Sequence, residues 1–351
     1  MGVPPMSDLN YGTFSRDELM PLIPSLFLPG SFLQTAFFPG VFEFDTAEVY
    51  FDRVLDDMRK APFVAQLSPG KVQQSRGFQK EIIVPASMKP KNQITGKEVL
   101  SRMAGERIGG EMSAADREAA IREMYLLKHQ ERMARTREWM AAQLLLTGQM
   151  TISGDDYPST LVNFARTGSL TKTLLTTDRW GEAGVSPYDD VDSWMNQVGE
   201  AAGSAVDIVV MDGLAWGYIA ADAKVEKALD TTLGQTAAIT LGYTPTVPGA
   251  PVFKGRIGGV EFYVYNALDH DDRFANVKLI PDNTVLMGSR AGYGGHKLCG
   301  VIEHAENHYQ PGEFFPHEWI DPNTGAHWVE TITASILAPM RVNASLAATV
   351  R

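Results

Sequence analysis

The longest regular pattern in the chain lies between Ser113 and Gly148. This stretch contains no glycine or proline before Gly148, and helix-favouring residues dominate it. Ser113 and Asp116 form the pattern of an N-terminal capping box, and Gly148 stands where a helix can end with positive φ. The pattern predicts a continuous helix of roughly 50 Å, at about 1.5 Å per residue. Its apolar positions make a broken stripe, which favours a spine that packs along part of its length: Ile121, Met124, Leu127, Met133, Met140, Leu144.

Prolines and apolar clusters alternate before this helix. Residues 1–52 contain six prolines and strongly apolar runs such as Phe37-Phe38, which predicts an extended arm that must lie on its own body or on a neighbour. A strand is expected over Phe44–Val54. Residues 53–110 are polar with little periodicity, except for strand-like pieces at Phe63–Leu67 and Phe78–Val84. We expect a long hairpin that projects toward another molecule.

Helices and strands alternate after the spine helix, which predicts an α+β fold. Short strands are expected over residues 151–187, followed by a helix at Asp189–Ala202, a buried strand at Val206–Met211 and a helix at Leu214–Asp230. The pattern then predicts strands only: Val260–Tyr265, Val277–Ile280, Thr284–Met287, Glu330–Leu337 and Ser345–Val350.

Charge is distributed unevenly along the chain. The net charge is −11, yet residues 53–110 carry eleven basic and five acidic residues, a net charge of +6. Residues 189–311 carry sixteen acidic and eight basic residues, a net charge of −8. No terminal basic arm of the kind that condenses nucleic acid is present. No apolar run approaches the roughly 18 residues that a membrane span requires.

Candidate catalytic and metal-binding motifs are weak. The glycine-rich stretches do not lie between a strand and a helix, and no GxSxG or HExxH pattern occurs. The one cysteine, Cys299, is expected to be a small buried apolar side chain. His304 and His308 could hold a metal if the segment were helical, which leaves a metal-dependent α/β enzyme as the alternative function. We expect no metal, no cofactor and no catalytic residue.

Several stretches resemble the lambda-type phage major capsid protein E family. The segment LIPDNTVLMGSRAGYGGHKLCGVIEHAE at Leu279–Glu306 is similar to the family's "LPDNT…LG…G…YG" segment. Phe44–Val54 resembles its early strand, and Ser186–Asp192 and Asp207–Trp216 resemble its "YDP-x-DD-I" and "IIVFDPKGW" stretches. Glu318 to Pro339 is similar to the family's C-terminal end. The matches occur in the same order in both, although Met211-Asp212-Gly213 replaces the family's Phe-Asp-Pro.

The resemblance implies an HK97-type capsid fold and a structural role. Its expected parts are an N-terminal arm (1–52), an E-loop (53–110), a P-domain (111–188, with return strands at 312–351) and an A-domain (189–311). The expected function is a major capsid protein that self-assembles, as hexamers and pentamers, into an icosahedral shell around double-stranded DNA. The expected place is the virion, after assembly in the host bacterial cytoplasm, with scaffold, portal and decoration proteins as further partners. A cellular nanocompartment of the same fold is the nearer alternative.

Two groups of residues are expected to contact a neighbouring subunit. Lys89, Lys91 and Lys97 belong to the basic loop, which would lie on the acidic A-domain of another copy. Phe37 and Phe38 belong to the apolar arm, which has no partner nearby in the sequence.

Overall fold

The computed structural model describes residues 31–46, 48–53, 79–101, 112–154, 157–225, 250–270 and 276–351. Its helices are α1 Phe32–Phe37, α2 Gly96–Leu100, α3 Ala114–Thr147, α4 Pro187–Ala202, α5 Gly213–Ala220 and α6 Arg290–Tyr293. Its first strands are β1 Gly40–Glu43, β2 Val49–Arg53, β3 Gln79–Ile83, β4 Ser87–Met88, β5 Lys91–Ile94, β6 Gln149–Gly154, β7 Tyr157–Asn163, β8 Thr171–Thr173 and β9 Ile208–Met211. The later strands are β10 Val252–Ile257, β11 Val260–Val264, β12 Leu268–His270, β13 Asn276–Lys278, β14 Thr284–Gly288, β15 His296–Cys299, β16 Phe315–Ile320, β17 His327–Ala338 and β18 Ser345–Thr349.

Helix α3 is the predicted spine helix, and both of its predicted ends are confirmed. Ser113 and Asp116 form a reciprocal capping box at its start, and Gly148 ends it in the left-handed region at φ 73°. Glu118 and Arg122, four residues apart on this helix, form an ion pair at 3.7 Å. Local signals therefore determine where this helix of 34 residues begins and ends.

The first sheet is built around the twelve-residue strand β17. Strands β16 and β5 pair with its first half, and β15 and β4 pair with its second half. Strand β1 pairs in parallel with β15 and forms one edge of the sheet. The spine helix packs against β17, where Val329 lies in one apolar cluster with Ile121 and Leu126.

The second sheet has the order β10-β11-β9-β14-β18-β8, and its central strands β9, β14 and β18 are buried on both faces. On β9, Ile208 and Val210 belong to the core that contains the second half of the spine helix. The alternate residues Val209 and Met211 belong to the core beneath α4 and α5. Because side chains of a strand alternate between faces, a strand buried on both faces is an uninterrupted apolar run.

Strands β8, β15 and β18 lie in different sheets from those that the predicted domain boundaries imply. Strand β15 falls within the predicted A-domain but pairs with β17 of the first sheet. Strand β18 falls within the predicted return strands of the P-domain but pairs with β14 and β8 of the second sheet. A linear boundary at residue 311 therefore cuts across both sheets.

Three two-stranded hairpins complete the described part of the fold. Strands β2 and β3 lie within the predicted strands at Phe44–Val54 and Phe78–Val84 and pair antiparallel. This pairing was not predicted, because the expected hairpin joined Phe78–Val84 to Phe63–Leu67. The other hairpins are β6–β7 and β12–β13. The predicted strand piece at Phe63–Leu67 and most of the predicted arm, residues 1–30, lie outside the described residues.

Candidate assembly surfaces

Phe37 and Phe38 lie inside the subunit, which corrects their predicted contact with a neighbour. They are 1% and 3% exposed, and their rings meet the ring of Tyr293 edge-on at 5.6 and 5.4 Å. The partner that the sequence did not reveal is helix α6, about 250 residues later in the chain. The subunit's own fold thus begins well before the predicted end of the arm at residue 52.

A buried carboxylate holds this early segment on the spine helix. Glu138 accepts hydrogen bonds from the backbone N–H groups of Leu33 at 2.7 Å and Gln34 at 2.9 Å. It also accepts one from the hydroxyl of Tyr265 at 2.9 Å. Burial raises the pKa of Glu138 to about 7, and the three donors oppose that rise.

Lys89, Lys91 and Lys97 are all exposed, so the predicted loop does present positive charge to solvent. Lys91 also has a contact within its own chain, because its ammonium lies 4.3 Å from the ring centroid of Trp328 and 5.3 Å from that of Trp319. The three lysines remain predicted intersubunit contacts, with Lys91 committed in part to its own subunit.

The second half of the predicted E-loop is attached to its own subunit rather than projecting from it. Strand β5 pairs with β17, and helix α2 begins at Thr95 with a capping box that uses Glu98. Glu98 accepts a hydrogen bond from the Tyr125 hydroxyl of the spine helix at 3.0 Å. The ring of His129 bridges the Asn92 Oδ1 at 2.9 Å and the Thr331 hydroxyl at 3.0 Å. The prediction of one projecting loop over 53–110 is therefore wrong for residues 87–101.

Strand β1 presents an exposed apolar edge, outside the residues predicted as contacts. Val41 and Phe42 on β1 are 50% and 55% exposed. Among the described strands, β1 pairs with β15 alone, so its other edge carries backbone donors and acceptors that can pair with another chain. The sequence shows that Val41-Phe42 is apolar, but Phe37-Phe38 nearby is apolar too. The pattern alone cannot tell which of the two pairs is buried.

Four of the sixteen acidic residues in 189–311 form ion pairs with lysine or arginine within the described part of the chain. Arg290 contacts Asp207 at 3.0 Å and Glu261 at 2.7 Å. Lys224 pairs with Asp189, and Lys278 pairs with Asp282. The acidic excess of this region persists, but a basic partner would compete with these internal ion pairs.

The helical pairing of His304 and His308, on which the alternative metal site depended, does not form. Residues Ala305–Asn307 make one 3₁₀ turn, and the exposed His308 follows it in the left-handed region at φ 51°. The structure instead brings His304 together with Glu306 and His317, whose ligand atoms all lie within 4.8 Å of one another. Burial lowers the pKa of His317.

The last candidate reactive side chain is the thiol of Cys299. Cys299 is fully buried, as predicted, and burial raises the pKa of its thiol to about 11. A thiol with that pKa is a poor nucleophile near neutral pH. Within the part of the chain that the structure describes, no helix has the length and apolar character needed to cross a membrane.

Comparisons with known proteins indicate the family of this chain. The profile of the family described as "Phage major capsid protein E" matches residues 15–350. The major capsid protein of Escherichia phage lambda is 23% identical over 308 residues, which cover 86% of this chain and 89% of that protein. The major capsid protein of Enterobacteria phage phi80 is 25% identical over 263 residues, which cover 74% and 75% of the two chains.

A solved structure supports the fold. The crystal structure of a prophage protein of E. coli CFT073, described as a capsid protein, superposes with a TM-score of 0.73 at 18% identity. The superposition covers 96% of this chain and 99% of the other, and the predicted HK97-type α+β fold is confirmed. Because the family profile spans nearly the whole sequence, the chain belongs to the phage major capsid protein E family, whose role is structural rather than enzymatic.

Proposed function

We propose that this chain is the major shell subunit of a tailed phage and that many copies assemble into an icosahedral head around double-stranded DNA. The observation that carries the proposal is the family match over residues 15–350, which leaves no room within that span for a separate catalytic domain. Pentamers and hexamers would be the building units, and the virion would be the final location. Assembly would take place in the bacterial cytoplasm, with scaffold, portal and decoration proteins as further partners.

Two surfaces are proposed to join the copies. The first is the edge of β1 that no described strand pairs, where Val41 and Phe42 are exposed. The second is the basic segment that carries Lys89, Lys91 and Lys97, which would meet the acidic region 189–311 of a neighbour. Complementary charge steers encounter and fixes register more than it adds affinity.

The acidic net charge of −11 agrees with a shell that encloses DNA without condensing it. Tight, sequence-independent binding of DNA depends on many phosphate contacts from lysine and arginine. The proposed shell would therefore be filled from outside rather than assembled on the nucleic acid.

Electron microscopy of particles tests the proposal directly. The chain purified from phage-producing cells should occur in closed, megadalton, DNA-filled particles. Particles that contain protein cargo instead of DNA would favour a cellular nanocompartment. A chain that occurs only as a small, soluble oligomer in those cells would contradict the shell function.

A further inference from the structure

Two histidines and one glutamate meet on the face of the first sheet that lies opposite the spine helix. His317 projects from β16, and His304 and Glu306 lie in the loop that connects β15 to β16. One Glu306 carboxylate oxygen lies 2.8 Å from Nδ1 of His317, and the ring centroids of His304 and His317 are 4.5 Å apart. One ligand atom of each residue falls within 4.8 Å of the others.

An unsatisfied ring nitrogen points to a missing partner in this cluster. Nδ1 of His304 is buried, and it has no hydrogen-bond partner among the described residues. A buried polar atom normally finds a partner in the protein, in an ordered water or in a bound ion. His304 therefore offers unused coordinating capacity beside two further ligand groups.

The cluster is rigid on one side and adaptable on the other. The ring of His317 stacks on that of Trp319, with centroids 5.0 Å apart, and lies parallel to that of Phe315 at 6.0 Å. The Glu306 side chain, by contrast, is 67% exposed. Its carboxylate can make the small movement that brings three ligands to the roughly 2.0–2.2 Å bond lengths of zinc.

We infer that His304, Glu306 and His317 form a binding site for one divalent transition-metal ion, with water in the open position. Two imidazoles and one carboxylate are ligands that Zn²⁺ accepts readily, whereas Mg²⁺ and Ca²⁺ prefer oxygen alone. The ion would join the loop to β16 and stabilise the folded subunit, because it binds the folded state in preference to the unfolded chain. The site is structural and does not depend on the proposed shell function.

Titration of the untagged, full-length chain with Co²⁺ tests the inference, because bound Co²⁺ gives visible absorption bands. One Co²⁺ per chain should bind, Zn²⁺ should displace it, and Zn²⁺ should raise the melting temperature. The variants His304→Ala and Glu306→Gln should each weaken binding by at least about tenfold. His308→Ala is the matched control, because His308 is an exposed histidine of the same loop outside the cluster.

Glu306→Gln keeps the experiment informative if a histidine variant fails to fold, because the glutamate side chain is largely exposed. Circular dichroism of each metal-free variant separates loss of binding from loss of the fold. The inference is overturned if the unmodified chain binds no stoichiometric Co²⁺ or Zn²⁺. It is equally overturned if Glu306→Gln binds as tightly as the unmodified chain, or if His308→Ala weakens binding as much as His304→Ala. None of these results alters whether particles form.

Discussion

Glu138, in the last third of the spine helix, accepts a hydrogen bond of 2.7 Å from the backbone N–H of Leu33, 105 residues earlier in the chain. The first N–H groups of any helix have no partner within that helix. Helix α1 has no side-chain cap of its own, since Ser31 makes no capping hydrogen bond. Glu138 therefore caps α1 from another helix and ties the start of the described fold to the spine.

We expect Glu138→Ala to destabilise the subunit by about 3 kcal/mol or more. The change removes the acceptor for two backbone N–H groups and the Tyr265 hydroxyl, and each buried donor left unpaired costs about 1–3 kcal/mol. Glu123→Ala is the control, because Glu123 is an exposed residue of the same helix and its loss should change stability by less than about 0.5 kcal/mol. Unfolding in denaturant gives the free energy of unfolding of each variant, and the two values are compared. Equal stabilities would show that Glu138 does not cap α1.

This cap also marks the limit of what the sequence could predict. The two ends of the spine helix depend on residues within three positions of each end, so the sequence was sufficient for both. The cap of α1 joins residues 105 positions apart, and no local pattern records such a pairing. The predicted arm was therefore too long, because its apolar residues had partners that only the folded chain supplies.

Two deletions separate the arm from the fold. Removal of residues 1–30 should leave a subunit that melts cooperatively. Removal of residues 1–46 should abolish folding, because Leu33, Phe37 and Phe38 are lost from the core. Each buried side chain of this size contributes about 1.5–3 kcal/mol, against a total stability of about 5–15 kcal/mol. Thermal melting by circular dichroism decides the matter, and a cooperative melt of the longer deletion would contradict the assignment of α1 to the core.

The ring of His129 should make the subunit sensitive to acid. Burial, followed by the nearby charge of Arg132, lowers the pKa of His129 to about 4 from its usual 6.5. The neutral ring suits both contacts, because Nε2–H donates to Asn92 Oδ1 and Nδ1 accepts from the Thr331 hydroxyl. Between pH 6.5 and about 4, His129 therefore binds more protons in the unfolded chain than in the folded chain.

Stability from this histidine is thus complete above pH 6.5 and is lost as the pH falls toward 4, by an amount on the order of 3 kcal/mol. His129→Gln stays neutral throughout and should flatten this part of the pH dependence. The unfolding free energies of the unmodified protein and of His129→Gln are measured at pH 7.5, 6, 5 and 4. Subtracting one from the other removes the contribution of the carboxylates, which titrate in the same range in both proteins. Parallel curves would contradict a neutral, buried His129.

The open edge of β1 gives a prediction about assembly rather than folding. Phe42→Lys should leave the melting temperature nearly unchanged, because the side chain is 55% exposed, and should block or slow particle formation. A charge on an edge strand disfavours pairing with another chain. Leu175→Lys is the control, since Leu175 is an exposed leucine away from this edge. Sedimentation measures assembly, and normal particles from Phe42→Lys would remove the β1 edge from the proposed contacts.

The sequence predicted the exposed lysines of the proposed assembly surface better than it predicted the positions of the apolar side chains. Lysine side chains are seldom fully buried, and Lys89, Lys91 and Lys97 are all exposed. The contact of Lys91 with Trp328 was not predictable, because it requires the register of β5 against β17. The cluster of His304 and His317 was not predictable either, because the two rings meet only when the 3₁₀ turn and strand β16 are both folded.

The basic segment is predicted to hold neighbouring subunits together by charge. Changing Lys89, Lys91 and Lys97 together to glutamate reverses the charge of the described part of the segment and should leave the subunit folded while it blocks or misdirects assembly. Each exposed ion pair contributes only about 0–1 kcal/mol, but every subunit of a shell repeats the same contacts. Raised salt should slow assembly of the unmodified protein for the same reason.

Two comparisons make this charge experiment specific. Changing the exposed Arg132, Arg135 and Arg179 to glutamate alters the net charge by the same amount at other places, and this variant should still assemble. The pair Lys89→Glu and Lys97→Glu, with Lys91 kept on Trp328, separates an effect between subunits from loss of the internal cation–π contact. Light scattering and electron microscopy would report rate and particle size. Assembly of the triple lysine variant at the normal rate and size, or equal failure of the arginine variant, would show that no specific charge contact of this segment directs the shell.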